Sequence, residues 1–159
     1  MTPISTPTER IAVFPGSFNP FTIGHADIVA RGLELFDRIV IAVGINPSKP
    51  GNHSDAVGAI RKIYTGNPRV SVGTYEGLTV DFARAVGARF ILRGVRSVKD
   101  FEYERDMAQI NSQLSGIESV LLFSRPELSA ISSSIVRELQ RFGHDVSNFL
   151  PSNNSDKQE

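Results

Sequence analysis

The sequence contains no cysteine among its 159 residues. This absence excludes disulfide bonds, a thiolate nucleophile and any metal site with sulfur ligands. A net charge is also lacking, because 17 Lys and Arg residues balance 17 Asp and Glu residues. A neutral chain has no overall field that attracts nucleic acid or an anionic membrane, so anion binding must depend on a local cluster of basic residues. We therefore expect neither a nucleic acid nor a membrane as a partner.

Long hydrophobic runs and targeting segments are lacking as well. The longest apolar stretch, residues 39–43 with Ile45 beyond Gly44, is far shorter than the ~20 residues that span a bilayer. Residues 1–7 lack the basic and apolar regions of a secretory signal peptide. These features favour a cytoplasmic protein.

The length corresponds to one ordinary domain. Hydrophobic residues make up 40% of the chain and charged residues 21%, which is typical of a folded globular protein. Residues 1–9 are rich in Thr, Pro and Ser, and residues 151–159 contain no apolar residue. We expect a single domain over residues 10–150 with loose termini on both sides.

Short β-branched runs alternate with longer amphipathic segments inside this domain. Strands are predicted at residues 11–14, 38–44, 69–73, 89–92 and 118–123, and helices at residues 24–36, 55–65, 78–86, 100–114 and 132–142. The fourth helix carries one apolar stripe, formed by Tyr103, Met107, Ile110 and Leu114. Five alternating pairs predict an α/β fold, a Rossmann-like doubly wound five-stranded parallel sheet with helices on both faces. Ligands of such sheets bind outside the carboxyl ends of the strands.

The segment after the first predicted strand reads Gly16-Ser17-Phe18-Asn19-Pro20-Phe21-Thr22-Ile23-Gly24-His25. It leads into a helix whose first turn has unpaired N–H groups and a partial positive charge, which suit a phosphate. Ser17 can donate a hydroxyl hydrogen bond, and the His25 imidazole in the first turn can donate to a phosphate oxygen. The segment has neither the G-x-G-x-x-G of a dinucleotide fingerprint nor the G-K-[ST] of a P-loop. A phosphate site of another kind is therefore predicted.

Polar side chains also follow other predicted strands. Lys49 lies in a turn at the carboxyl end of the second strand, where a cation reaches the site, although the pattern is equally typical of an ordinary turn lysine. Arg93 and Arg96 come directly after the fourth strand and suit polyphosphate recognition. The serines of residues 132–134 precede the last helix, where capping and phosphate binding are compatible. His53 and His144 lack such context, and we assign them to loops.

The segment Gly16–His25 resembles the G-[ST]-F-[DN]-P-x-T-x-G-H signature of the T-x-G-H nucleotidyltransferases. Within that group the chain is most similar to the phosphopantetheine adenylyltransferase family. Three further segments match in family order, at residues 46–49, 93–104 and 131–134. The resemblance covers about residues 10–150. T-x-G-H alone is a weak signal, and the four segments together carry the assignment.

The resemblance implies transfer of an adenylyl group from ATP to 4′-phosphopantetheine, giving dephospho-coenzyme A and pyrophosphate without a covalent intermediate. It implies catalytic roles for His25, Lys49 and Arg96. It implies ATP contacts for Ser17, Phe18, His25, Gly94, Val95, Arg96, Glu104, Leu128, Ser129, Ala130, Ile131, Ser132, Ser133 and Ser134. It implies contacts with the acceptor for Ser17, Lys49, Thr79 and Arg93. Mg²⁺ is expected with ATP, bound through phosphate oxygens and water without a protein cage, and a homohexamer is expected from the family.

One segment departs from the family pattern. After the lysine the family runs on to a Glu-Glu-Arg helix start, whereas residues 51–58 read GNHSDAVG. The acidic pair and the arginine are absent, so details of a lid over the acceptor or of a subunit contact there are not carried over to this chain.

Two other functions remain open from the sequence. One is a related nucleotidyltransferase acting on nicotinate mononucleotide or a phosphorylated alcohol, and residues 93–104 argue against it. The other is a nucleotide-binding regulatory module without catalysis. The presence of His25, Lys49 and both arginines together argues against that module.

Overall fold

The computed structural model describes residues 8–49, 51 and 53–153. The strands are β1 Ile11–Gly16, β2 Arg38–Gly44, β3 Val70–Tyr75, β4 Phe90–Val95 and β5 Glu118–Phe123. The helices are α1 Ile23–Gly32, α2 His53–Ile63, α3 Thr79–Ala85, α4 Val98–Ser115 and α5 Ser133–Arg141, with short 3₁₀ turns at Pro126–Leu128 and Ser147–Phe149. Each predicted strand and helix is therefore present in the described part of the chain. The assignment of His53 to a loop is wrong, because His53 is the first residue of α2.

The five strands form one parallel sheet in the order β3-β2-β1-β4-β5. The chain builds the β1-β2-β3 side first and then crosses to β4 on the other side of β1. The strand order thus reverses between β1 and β4, and a crevice opens at the carboxyl ends of strands at such a reversal. The predicted parallel α/β sheet is confirmed, and its topology locates the ligand cleft.

The central strands are covered on both faces. On β1, Ala12 and Phe14 belong to the core that includes α1 and α2, whereas Val13 belongs to the core that includes α3. Side chains alternate between the two faces of a strand, so each core receives every second residue. Every residue from Ile39 to Val43 on β2 is buried, which explains its continuous apolar run.

Strand β4 is longer than the sequence predicts. Arg93 and Gly94 pair in register with Leu121 and Leu122 of β5, so Arg93 lies within the strand and only Arg96 follows it. The expectation that both arginines follow the strand is wrong for Arg93. A guanidinium is tolerated at this strand position because Glu104 and the Pro15 carbonyl accept its hydrogen bonds.

Helix α4 presents its apolar stripe to the outside. Tyr103, Met107, Ile110 and Leu114 are all exposed, and Glu104 is the buried residue of the helix. The stripe therefore does not face the core of the described chain.

Among the described residues, no helix has both the length and the apolar character that crossing a bilayer requires. The loose termini expected at residues 1–9 and 151–159 include residues 1–7 and 154–159, which lie outside the described ranges.

Candidate functional site

A cleft with two lobes lies at the carboxyl ends of the strands. The first lobe is bordered by the starts of α1, α4 and α5, and the second by the ends of β2 and β3 and by one side of α4. Both lobes share one wall, formed by Pro15, Gly16, Ser17, Arg93 and Glu104. Two ligands bound in the two lobes would therefore meet at this wall.

His25 lies in the first lobe and forms a capping box with Thr22 at the start of α1. The Thr22 backbone N–H donates to His25 Nδ1 at 2.9 Å, and the His25 backbone N–H donates to Thr22 Oγ1 at 3.4 Å. Since Nδ1 accepts a hydrogen bond, the proton of the neutral ring is on Nε2. The fold thus fixes one tautomer of His25, with a donor at Nε2.

Aromatic rings surround this imidazole. The Phe18 ring meets the His25 ring edge to face at 5.0 Å between centroids, and Phe14 and Phe21 lie within 6.2 Å. Burial of the ring, together with the nearby charges of Arg93 and Arg96, lowers the pKa of His25 from 6.5 to about 4. The imidazole is therefore neutral at neutral pH and serves as a hydrogen-bond donor without a net charge.

The lowered pKa predicts a pH-dependent stability. The unfolded chain protonates His25 near pH 6.5 and the folded chain only near pH 4, so the unfolded state binds the extra proton between these values. The contribution of the neutral His25 ring to the free energy of unfolding is complete above pH 6.5 and is lost as the pH falls toward 4. The loss is at most about 3 kcal/mol. Urea unfolding of the wild type and of His25→Gln across this range measures the effect.

Glutamine suits this comparison because Thr-x-x-Gln is itself a capping-box pattern and does not titrate. The free energy of unfolding should therefore depend less on pH in His25→Gln than in the wild type. Equal pH dependence of the two proteins would contradict a depressed pKa at His25.

Phe18 reaches His25 through an unusual backbone conformation. Its φ of 47° lies in the left-handed region, and its side chain is buried, which is uncommon for a bulky residue. A Cβ added to Gly16 would lie 2.9 Å from the Phe18 ring. Glycine at position 16 therefore makes room for the ring that supports His25.

Arg93 is held in place at the wall between the lobes. Its Nε and Nη2 donate to the Glu104 carboxylate at 2.9 and 2.7 Å, and its Nη1 donates to the Pro15 carbonyl at 2.5 Å. Glu104 has only 9% of its side chain exposed, whereas Arg93 has 31%. Three hydrogen bonds leave two of the five guanidinium N–H groups for a ligand.

Arg96 lies at the start of α4 beside Asp100. The Asp100 carboxylate accepts from the Arg96 backbone N–H at 3.2 Å, and the side chains approach to 3.7 Å. Both residues line the first lobe. A second cation thus faces the first lobe from the loop after β4.

The start of α5 is tied to the loop after β1. Ser132 caps the helix by accepting from the Ile135 backbone N–H, and Ser133 Oγ donates to the Pro20 carbonyl at 2.8 Å. Arg137 donates to the Asn19 carbonyl and to Ser134 Oγ. The bonds from Ser133 and Arg137 to the carbonyls of Pro20 and Asn19 join two segments that are more than 100 residues apart in the sequence, so the starts of α1 and α5 face the same lobe.

Most of the residues predicted for the site lie in the cleft. The first lobe contains Ser17, Phe18, His25, Arg93, Gly94, Arg96, Glu104, Ile131, Ser132, Ser133 and Ser134. The second lobe contains Thr79 in addition to Ser17, Arg93 and Glu104. The predicted residues outside the lining of both lobes are Lys49, Val95, Leu128, Ser129 and Ala130.

The five predicted residues that do not line the cleft lie in three parts of the fold. Val95 is buried in β4, and residues 128–130 belong to the segment between β5 and α5. Lys49 is exposed in the turn that starts at Asn46, and Asn46 itself lines the second lobe.

Several residues that line the cleft are not among those predicted from the sequence. Asp100 and Ser124 lie in the first lobe, and Asn46, Tyr75, Tyr103, Met107 and Asn111 in the second. Tyr103, Met107 and Asn111 are four residues apart along one side of α4. In the sequence, the polar Asn111 follows Tyr103 and Met107 at a spacing of four residues. This polar residue on an otherwise apolar side was the sequence signal that the side faces a cleft rather than the core.

The described residues contain no group of three or more His, Asp or Glu side chains arranged to hold a metal ion. In the first lobe, the Glu104 carboxylate is bound by Arg93, and the Asp100 carboxylate lies beside Arg96. The donor set of this lobe is therefore mainly cations, hydroxyl groups and helix N-termini, which suits a polyphosphate.

A parallel sheet with a cation- and hydroxyl-lined cleft at its switch point is typical of α/β proteins that bind nucleotides or other phosphorylated ligands. The model of the cytidylyltransferase-like family matches residues 13–139. A protein of Phocaeicola vulgatus named phosphopantetheine adenylyltransferase is 54% identical over 144 residues, which cover 89% of this chain and 95% of that protein. A protein of the same name from Bacteroides fragilis is 52% identical over 89% of this chain and 96% of its own length. The chain belongs to the cytidylyltransferase-like family and, within it, to the phosphopantetheine adenylyltransferases.

A solved structure gives a more distant comparison. A bifunctional NMN adenylyltransferase/ADP ribose pyrophosphatase from Francisella tularensis matches 93% of this chain with a TM-score of 0.67 and 15% identity. This chain spans 46% of that protein. The match supports the Rossmann-like fold alone.

Proposed function

We propose that this chain transfers the adenylyl group of ATP to 4′-phosphopantetheine, releasing dephospho-coenzyme A and pyrophosphate. The names of relatives at about 50% identity support this reaction and this acceptor. The observation that carries the proposal is the neutral His25, with its donor on Nε2, in one lobe with Arg96 and beside the wall that holds Arg93. A donor and two cations there suit a reaction between two phosphates.

The two lobes suggest where the substrates bind. The first lobe has the helix starts and the cations that favour a triphosphate, so ATP is assigned to it. The second lobe has the larger volume and mixes apolar side chains with amides and hydroxyls, including Tyr103, Met107 and Asn111. This lining suits the pantetheine arm, whose phosphate then reaches the shared wall at Arg93.

The proposed reaction is a direct in-line displacement. An oxygen of the acceptor phosphate attacks the α-phosphorus of ATP, and the bond from that phosphorus to the bridging oxygen breaks. The bond electrons leave with pyrophosphate. Since the acceptor phosphate is already ionised at neutral pH, no general base is needed, and the chain contributes alignment and charge stabilisation. His25 donates from Nε2 to an oxygen of the α-phosphate, while Arg96 and the α5 start stabilise the departing pyrophosphate.

Lys49 is assigned to the acceptor phosphate by the resemblance. Its turn supports this role in part, because Asn46 in the same turn lines the second lobe. Binding of the acceptor would bring the flexible ammonium group to its phosphate. Thr79 lies in the second lobe, where its hydroxyl group forms a hydrogen bond of 2.9 Å with the hydroxyl group of Tyr75.

Mg²⁺ is proposed to accompany ATP. The ion supplies charge neutralisation on the phosphates when it is bound. The first lobe suits an ion held by phosphate oxygens and water, because its carboxylates lie beside arginines. No protein ligand is assigned to it.

The chain is further proposed to form a homo-oligomer, with a hexamer as the family expectation. The exposed stripe on α4 supports self-association, since Ile110 and Leu114 have 50% and 56% of their surface exposed and water-exposed apolar stripes favour contacts. Sedimentation equilibrium of the wild type and of Ile110→Glu tests this. The wild type should be an oligomer and the variant should dissociate, whereas a monomeric wild type would contradict the proposal.

Pyrophosphate release from ATP and Mg²⁺ tests the proposed reaction. Release is expected with 4′-phosphopantetheine and not with nicotinate mononucleotide or with ATP alone. Release with nicotinate mononucleotide only would show that this nucleotide, and not 4′-phosphopantetheine, is the acceptor. No release with any acceptor, from a protein that binds ATP, would favour a non-catalytic module.

A further inference from the structure

The segment that connects β5 to α5, residues 124–132, is tied to α1 at its start. Arg125 Nε donates to Asp27 Oδ1 at 2.9 Å. One turn further along α1, Arg31 Nη1 donates to Asp27 Oδ2 at 3.2 Å and to the Phe123 carbonyl at 2.8 Å. Asp27 therefore links α1 to the end of β5 and to the first residues of the connecting segment.

The other end of the connecting segment approaches the first turn of α1. A Cβ added to Gly24 would lie 3.8 Å from the Ile131 carbonyl oxygen. Positions 24, 27 and 31 are three and four residues apart and share one side of the helix, so the segment runs along that side in the direction opposite to α1. The helix that carries His25 in its first turn therefore also supports the connecting segment.

Both ends of the connecting segment line the first lobe, through Ser124 at the start and through Ile131 and Ser132 at the end. The side chain of Asp27 is 18% exposed and that of Arg125 is 53% exposed. An ion pair with one partner so exposed contributes little to the stability of the fold. Its hydrogen bond still restricts where the start of the segment lies, so we expect its effect on ligand binding to exceed its effect on stability.

We propose that Asp27 is a positioning residue that acts through Arg125, holding the connecting segment against α1 and so increasing the affinity for ATP. This inference rests on the proposed function, because it takes ATP to be the ligand of the first lobe. Neither Asp27 nor Arg125 lines either lobe, and both Asp27 oxygens already accept hydrogen bonds from arginines. Release of the segment would lower the fraction of molecules whose first lobe is complete, and the apparent affinity falls in proportion to that fraction.

The variant Asp27→Ala tests the inference, because it removes both acceptor oxygens. We expect the Kd of a nonhydrolysable ATP analogue with Mg²⁺ and the KM for ATP to rise about tenfold, as when a tenth of the molecules are competent to bind. The KM for 4′-phosphopantetheine and kcat should stay within about twofold of the wild type, because the second lobe and His25 are unchanged. Unchanged analogue binding, or an equal rise of both KM values, would overturn the inference.

Glu138→Ala is the matched control for this variant. It removes the carboxylate of another ion pair within a helix, formed with Arg141 on α5 at 3.9 Å, and Glu138 lines neither lobe. This variant should bind the analogue as the wild type does. Weakened binding in Glu138→Ala equal to that in Asp27→Ala would contradict a specific role for Asp27.

A double-mutant cycle separates positioning from direct contact. Arg125→Gln alone should weaken analogue binding, but in an Asp27→Ala background, where Arg125 has already lost this partner, it should raise the Kd no further. A further rise would show that Arg125 contacts ATP itself and would overturn the inference.

A folding defect in Asp27→Ala would not remove the test. Arg125→Gln changes an exposed side chain, and unchanged analogue binding in this single variant would also contradict the inference. Failure of the proposed function is distinguishable, because it would abolish pyrophosphate release in the wild type and in Glu138→Ala. Failure of the inference alone would leave that release intact.

Discussion

Replacement of His25 by alanine is expected to lower kcat by about 10²- to 10³-fold, the cost of removing one preorganised donor. The donor at Nε2 is fixed before substrate binds, because the Thr22 backbone N–H donates a hydrogen bond to Nδ1 and burial lowers the pKa so that the ring is neutral. A donor that acts on charge developing in the transition state should lower kcat and kcat/KM together, with little change in KM. Steady-state pyrophosphate release measures both constants.

The same substitution also removes half of a capping box, so about 1 kcal/mol of stability should be lost. His25→Gln separates the two effects, because the glutamine oxygen can accept from Thr22 and restore the cap. We expect His25→Gln to regain stability while its kcat stays well below that of the wild type. His144→Ala is the matched control, since His144 is exposed beyond α5. Near-normal turnover of His25→Ala would contradict the proposed mechanism.

The sequence predicts the fold well because its signals are local. The continuous apolar run of β2 and the serine before α5 depend on residues that are close in the chain, and both gave correct elements. The position of His25 in the first turn of α1 follows from the same local pattern. Its pKa does not, because Phe14, Arg93 and Arg96 reach the ring only through the folded sheet.

The wall between the lobes could not be predicted in this way. Arg93 and Glu104 are 11 residues apart, on a strand and a helix, and nothing in the local pattern shows that their side chains meet. The apolar stripe of α4 suggests that its own side of the helix faces the core. Burial of Glu104 shows instead that the acidic side of the helix is the inner one. The helix turns its one buried acid inward because Arg93 provides two donors there, whereas Tyr103 and Met107 line the second lobe.

Replacement of Arg93 by leucine is expected to have the second large effect, on stability as well as activity. Leucine leaves the Glu104 carboxylate buried without its partner, which should lower the free energy of unfolding by roughly 3 kcal/mol. This value is at the low end for a broken pair, because 31% of the Arg93 side chain is exposed. Loss of the cation should also lower kcat/KM for 4′-phosphopantetheine by about 10²-fold or more.

The double variant Arg93→Leu/Glu104→Leu distinguishes these two effects. With both charges replaced by apolar side chains, no unpaired carboxylate remains, and most of the lost stability should return. Activity should not return, because neither leucine binds a phosphate. Urea unfolding and acceptor kinetics on the wild type, the single variant and the double variant measure both quantities. If Arg93→Leu were as stable as the wild type, burial of the Glu104 carboxylate would not require Arg93 as its partner. Recovered activity in the double variant would exclude Arg93 from acceptor binding. The hydrogen bonds within the pair are thus predicted to offset the cost of burying the Glu104 carboxylate, and the two N–H groups of Arg93 that Glu104 leaves free are predicted to serve catalysis.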